Sequence, residues 1–114
     1  MTGPLRCDLH CHSSHSTDSG TFALRRARPG ESYTDPERLY RICKARGMDL
    51  VTITDHNTVE GALRIAHHPD TFLSVEVTTR LPERDVPLHV LIWDLTEEDH
   101  RDLQPYRPSV HQRG

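Results

Sequence analysis

The sequence predicts an α/β protein of about four strands with flanking helices, and three observations predict it. Short runs rich in β-branched and apolar residues recur, at 50–54, 72–77 and 88–93, with the length and composition of buried strands. Between them lie segments whose apolar residues repeat at helical spacing. Histidines and carboxylates gather where the strands end, the place at which α/β sheets and barrels carry their functional side chains.

Taken in order, the first strand covers residues 5–10. Alternate side chains of a strand share a face, so Asp8, His10 and His12 point one way while Leu5, Cys7, Leu9 and Cys11 form an opposite face apolar enough to bury. A polar stretch with Gly20, Pro29 and Gly30 follows from Ser13 to about Thr34; its length marks a functional or disordered loop. Its basic run, Arg25-Arg26-Ala27-Arg28, reads as part of a solvated loop. Thr34-Asp35-Pro36-Glu37 opens a helix, with Pro36 in the first turn and Glu37 placed for a capping box. Leu39, Ile42, Cys43 and Arg46 share one stripe, and Gly47 is the stop.

A second strand spans 49–54, and a second helix runs over 58–67 with Val59, Ala62, Leu63 and Ala66 as its buried stripe. His67 and His68 close that helix before Pro69, where imidazoles meet the favourable end of the helix dipole and play a structural part. A third strand lies near 71–77. Residues 79–87, with two prolines and alternating charges, suit a hairpin or loop excursion. The fourth strand, 88–93, reads as buried on both faces with Trp93 in the core. Thr96-Glu97-Glu98-Asp99 repeats the capping signature and opens a short helix, which Pro105 and Pro108 end. The expected organisation is one domain over 1–104 and a loose tail over 105–114, with no internal repeat.

The run Asp8-Leu9-His10-Cys11-His12-Ser13 and the later Thr54-Asp55-His56-Asn57 carry the chemistry. Two imidazoles converge on one face of the first strand, and His56 leaves the second strand at the same end. A buried polar face of this kind needs a partner such as a cation. Glu76 stands in the apolar run Phe72-Leu73-Ser74-Val75-Glu76-Val77, and a carboxylate there needs a metal or, less well, an arginine. These residues predict that His10, His12, His56 and Glu76 bind at least one divalent metal. Cys11 faces away and reads as a small buried hydrophobe. Ser13, Ser14 and Ser16 read as hydrogen-bonding or capping residues, and His15 as solvent-exposed.

Taken together, the first run with Ser16 and Asp18, then Arg46-Gly47-Met48-Asp49 leading into Ile53-Thr54-Asp55-His56-Asn57-Thr58, Gly61, Val75-Glu76-Val77-Thr78 and His89-Val90-Leu91 resemble the first motifs of the PHP (polymerase and histidinol phosphatase) superfamily, over residues 5 to 93. The resemblance implies a distorted β/α barrel holding up to three divalent metals that hydrolyse phosphate esters. It implies that His10, His12 and Glu76 bind one metal, that Glu76 bridges to a second, that Asp18 and His56 serve a third, and that His89 binds the second metal or a phosphate. A (β/α) barrel takes ~250 residues against 114 here, and no further family motif follows His89. The expectation is therefore a PHP-type partial barrel, the N-terminal half of the family domain. Four strands do not close a barrel, so the open edge and inner faces of strands two and four call for self-association or a partner chain.

Composition sets the remaining bounds. Hydrophobic residues make up 34% and mean hydropathy is -0.66, a thin core that a bound metal or partner would help to hold. Fourteen Lys and Arg against seventeen Asp and Glu give a net charge of -3, which argues against a strong nucleic-acid-binding field. Three cysteines, Cys7, Cys11 and Cys43, fit neither a disulfide frame nor a zinc ribbon. With no membrane-length apolar run and no signal peptide, the expected location is the cytoplasm. The expected activity is a divalent-metal-dependent phosphoesterase using zinc, manganese or iron, acting on a phosphorylated small molecule or nucleotide. The alternative is a non-catalytic metal-binding scaffold that docks on a partner.

Overall fold

The computed structural model describes residues 3–16, 34–81 and 83–106. Asp18, the basic run at 25–28 and most of the expected tail lie outside the described residues. Strand β1 is Cys7–Asp8, helix α1 Pro36–Ala45, β2 Leu50–Val51, α2 Glu60–Arg64, β3 Ser74–Leu81, β4 Val86–Trp93 and α3 Glu97–Leu103, followed by a 3-10 turn, Gln104–Tyr106.

The strands lie side by side in chain order. β1 pairs in parallel with β2, Cys7 opposite Leu50 and Asp8 opposite Val51, and the contact continues beyond the regular pair, where Thr54 N donates to Cys11 O at 2.7 Å. Isolated parallel bridges, Val51 to Thr71 and His56 to Glu76, join this pair to the β3 strand. β3 and β4 form an antiparallel hairpin from Ser74 opposite Trp93 to Leu81 opposite Val86. Neighbouring strands are ~4.8 Å apart, so the two outer strands of a flat four-strand sheet would stand ~14 Å apart. Trp93 on β4 nevertheless donates its indole N–H to Leu9 O at 2.9 Å, just past β1. The sheet must curl, and its concave face looks toward the histidines.

The helices cover the other side. Cys43, Val51, Ile53, Ala62 and Ile65 form one buried cluster, with Cys11, Leu39, Tyr40, Met48 and Leu73 packed against it. Val59, Val75, Val77 and Leu95 form a second, with Ile92 and Leu103 beside it. The α1 cap falls one residue later than the sequence suggested: Asp35, not Thr34, accepts from Glu37 N and Arg38 N at 3.1 and 3.2 Å. Glu37 thereby sits too early in the turn to close a capping box. Gly47 follows at φ 89, the left-handed stop expected of it. At α3, Thr96 and Asp99 form the full reciprocal capping box.

Several expectations are corrected. α2 ends at Arg64 rather than at 67, because Thr71 Oγ1 donates to the carbonyls of Ile65 and His68 and closes a turn there, and the residue before Pro69 disfavours helix. Ile65, not Ala66, is the buried residue. β3 and β4 extend further than 71–77 and 88–93, as one hairpin turning at 83–85. β4 is not buried on both faces: Leu88, Val90 and Trp93 are 37%, 43% and 44% exposed, because β4 is the outer strand and its partner β3 covers one edge only. Trp93 is thus a cross-sheet clasp and not a core residue. Leu5 and Leu9 are exposed as well, and of the predicted apolar face of β1 Cys11 packs on the core.

Candidate metal centre

Glu76 is where the curled sheet converges. Along β3, Val75 and Val77 face the second core cluster, so alternation sends Ser74 and Glu76 to the concave face. The Glu76 side chain is 8% exposed. Its Oε1 lies 2.9 Å from His10 Nε2, 3.1 Å from His12 Nε2 and 3.7 Å from His56 Nε2. Its Oε2 lies 4.0 Å from His89 Nδ1. The four imidazoles come from the exits of β1 and β2 and from β4, where His89 stands opposite Thr78, diagonal to Glu76. The rings of His12 and His56 stack at 4.6 Å and 13°.

Two donor groups result, His10, His12 and Glu76, and His56, Glu76 and His89, each with its ligand atoms within 4.8 Å of one another. Glu76 belongs to both. His10 Nε2 and His12 Nε2 stand 3.1 Å apart, and each also faces Glu76 Oε1. Neutral imidazoles present lone pairs in such a cluster, and a cation among them satisfies nitrogens and carboxylate together. The donor set therefore fits a divalent metal. The structure brings together five of the six expected ligands. It groups His56 with Glu76 and His89, where the resemblance had paired it with Asp18.

A buried polar layer fixes this geometry. Asp55, fully buried, takes two donations from Ser13, from N to Oδ1 and from Oγ to Oδ2, both at 2.5 Å. Burial pushes the Asp55 carboxyl above its ordinary pKa, and the Ser13 donations oppose that. Gly61 makes the room: a Cβ there would stand 2.3 Å from Asp55 Oδ2 and 2.4 Å from Ser13 Oγ. Ser16 Oγ accepts from His56 N at 2.9 Å and lies 3.3 Å from His12 Nδ1. Cys11 N donates to Thr54 Oγ1 at 3.0 Å. Asn57, at φ 61, donates through Nδ2 to Thr78 Oγ1 and accepts from Thr78 N, so the exit of β2 is bolted to β3 beside His89. Asparagine tolerates that left-handed backbone better than most residues.

Ser13 and Ser16 fill the hydrogen-bonding role the sequence gave them, whereas Ser14 is exposed and, among the described residues, bonds only through its backbone N to Thr34 O. Burial drives the Cys11 thiol far above its usual pKa, consistent with a packing residue. The bracing role of Asp55 and the need for glycine at 61 escaped sequence reasoning, although an acid directly preceding His56 at a strand exit was a signal. His67 and His68 do not cap α2, which ends before them. They meet Glu37 instead.

No family model matches the chain. The chain is similar to an uncharacterized protein of Methanocaldococcus jannaschii, 30% identical over 59 residues, which are 52% of this chain and 33% of the relative. The chain thus matches about a third of that relative's length. No helix among the described residues is long and apolar enough to cross a membrane.

Proposed function

We propose that this chain carries a divalent-metal phosphoesterase centre of the polymerase and histidinol phosphatase type. The observation that supports this reading most is the buried Glu76 carboxylate with three Nε2 atoms within 3.7 Å of one oxygen and His89 beside the other. His10, His12 and Glu76 would hold one metal, and His56, His89 and Glu76 a second. Imidazole with carboxylate suits zinc, manganese or iron(II). When bound, such ions supply Lewis acidity for phosphoryl oxygens and a water acidified toward pKa ~7.

The chain's own residues do the rest. Glu76 would supply a negative charge that offsets part of the charge of the cations. The Ser13–Asp55 pair and Ser16 hold His12 and His56 in place, which spares reorganisation when ligand arrives. His10 and His89, with side chains 52% and 45% exposed, form the open rim at which a phosphorylated small molecule or nucleotide is received. A cytoplasmic setting belongs to the same proposal and accords with three free cysteines.

The test is metal analysis of the purified chain, followed by an aryl phosphate assay with added manganese, zinc or iron(II). Metal-dependent hydrolysis that Glu76→Gln abolishes is the expected result. A chain that takes up no metal on the Glu76 cluster would overturn the reading. A second reading, a metal-binding scaffold that docks on a partner or on another copy, is favoured by the exposed Leu81, Val86, Leu88, Val90 and Trp93 of the hairpin. Metal uptake without turnover would support it.

A further inference from the structure

We propose a second metal site, separate from the Glu76 centre, formed by Glu37, His67 and His68 and selective for zinc or a like ion. Glu37 comes from the first turn of α1, and the two histidines from the turn between α2 and β3. Their ligand atoms lie within 4.8 Å of one another. Glu37 Oε1 contacts His68 Nε2 directly, and Oε2 lies 3.7 Å from His67 Nε2. Each carboxylate oxygen thus faces one imidazole, and both imidazoles present the same ring nitrogen to a common point.

His68 is held ready for this. Its ring stacks on Tyr40 at 3.8 Å and 3°. Tyr40 is itself anchored, its hydroxyl donating to Asp70 Oδ1 at 2.8 Å while Lys44 Nζ pairs with Asp70 Oδ2 at 2.8 Å. The His68 backbone is fixed at both ends, N to Ile65 O and O from Thr71 Oγ1. His67, 64% exposed on its side chain, is the third donor. Two imidazoles and one carboxylate, with open positions left to water, are the donors of a zinc site, whereas magnesium and calcium prefer all-oxygen sets. The ion would clamp the start of α1 to the turn ahead of β3, across the first core cluster.

Zinc stoichiometry decides the matter. Wild-type chain, His67→Gln, Glu37→Gln and Glu76→Gln are dialysed against zinc and analysed for bound metal. His67→Gln and Glu37→Gln are each expected to lose about one zinc per chain, and Glu76→Gln is expected to keep it. His67 is exposed and Gln is nearly isosteric with Glu, so folding is not at stake, and a circular-dichroism spectrum checks it. Unchanged stoichiometry in both His67→Gln and Glu37→Gln would overturn the site. Because Glu76→Gln removes only the other centre, failure there leaves this result readable.

Discussion

Among the described residues two carboxylates, Glu76 and Glu37, pair with histidines, and their settings are opposite. Glu76 lies 8% exposed at the bottom of a curled sheet, approached by imidazoles from three strands. Glu37 lies 35% exposed on a helix, approached by two histidines adjacent in sequence. Around Glu76 the ligands are braced by buried or partly buried hydrogen bonds between backbone and the side chains of Asp55, Ser16, Thr54 and Asn57. Around Glu37 the brace is a ring stack and a surface ion pair. Like donors therefore surround a buried carboxylate in one place and a partly exposed one in the other.

The largest expected effect is metal removal. A cation present at a thousandfold over its dissociation constant stabilises the native state by about 4 kcal/mol. Urea melts with and without a chelator are expected to differ by about that amount in wild type. Most of the difference should vanish in Glu76→Gln and survive in His67→Gln. Equal chelator effects in those two variants would show that the two clusters do not differ in the way described.

Next comes the brace. Asp55→Ala leaves Ser13 N and Oγ buried without their acceptor, at a cost of about 3 kcal/mol, whereas Glu37→Gln in metal-free protein is expected to stay within about 0.5 kcal/mol of wild type. Chemical denaturation of both, in chelator, gives the contrast directly. An Asp55→Ala chain as stable as wild type would mean that the polar layer holds nothing in place.

Gly61→Ala should cost about 2 kcal/mol, since the new methyl meets Asp55 Oδ2 and Ser13 Oγ far inside contact distance. If the clash is with that pair, Gly61→Ala and Ser13→Ala will be strongly non-additive in a double-mutant cycle. Additivity would place the strain elsewhere.

Much of this layout was legible in the sequence, and the reasons are local. His-x-His on a strand, a β-branched run ending in Asp-His, and a lone Glu among valines each state which face a side chain takes, because strand alternation has period two. The α3 capping box and the Gly47 stop were readable for the same reason: their hydrogen bonds reach only a few residues. What failed depended on distant neighbours. Nothing near Trp93 says that β4 is the outer strand, so its apolar run looked like core. Pro69 was a local sign that α2 stops early, but nothing near His67 says that Glu37 lies opposite. Asp55 reads as one more acid at a strand exit until Ser13, 42 residues away in sequence, is seen to cap it.

The two clusters share a core, and a thiol in that core gives the smallest and most specific prediction. Cys43 is 8% exposed, on the same helix as Glu37, and packs in one cluster with Val51 and Ile53 while Cys11, set between His10 and His12, lies against it. Burial raises the Cys43 pKa above the ordinary thiol value, and Cys7 and Cys11 are shifted the same way. In the unfolded chain these thiols ionise near pH 8.5. Below that value both states hold their protons and the contribution to stability is complete. Above it the unfolded state binds fewer protons than the native one, so stability must fall as pH rises. Wild-type stability from urea melts should therefore decline between pH 8 and 9.5, and Cys43→Ala should decline less steeply. Identical slopes would mean that Cys43 ionises as freely in the folded chain as in the unfolded one, and that the core joining the two clusters is wetter than its packing indicates.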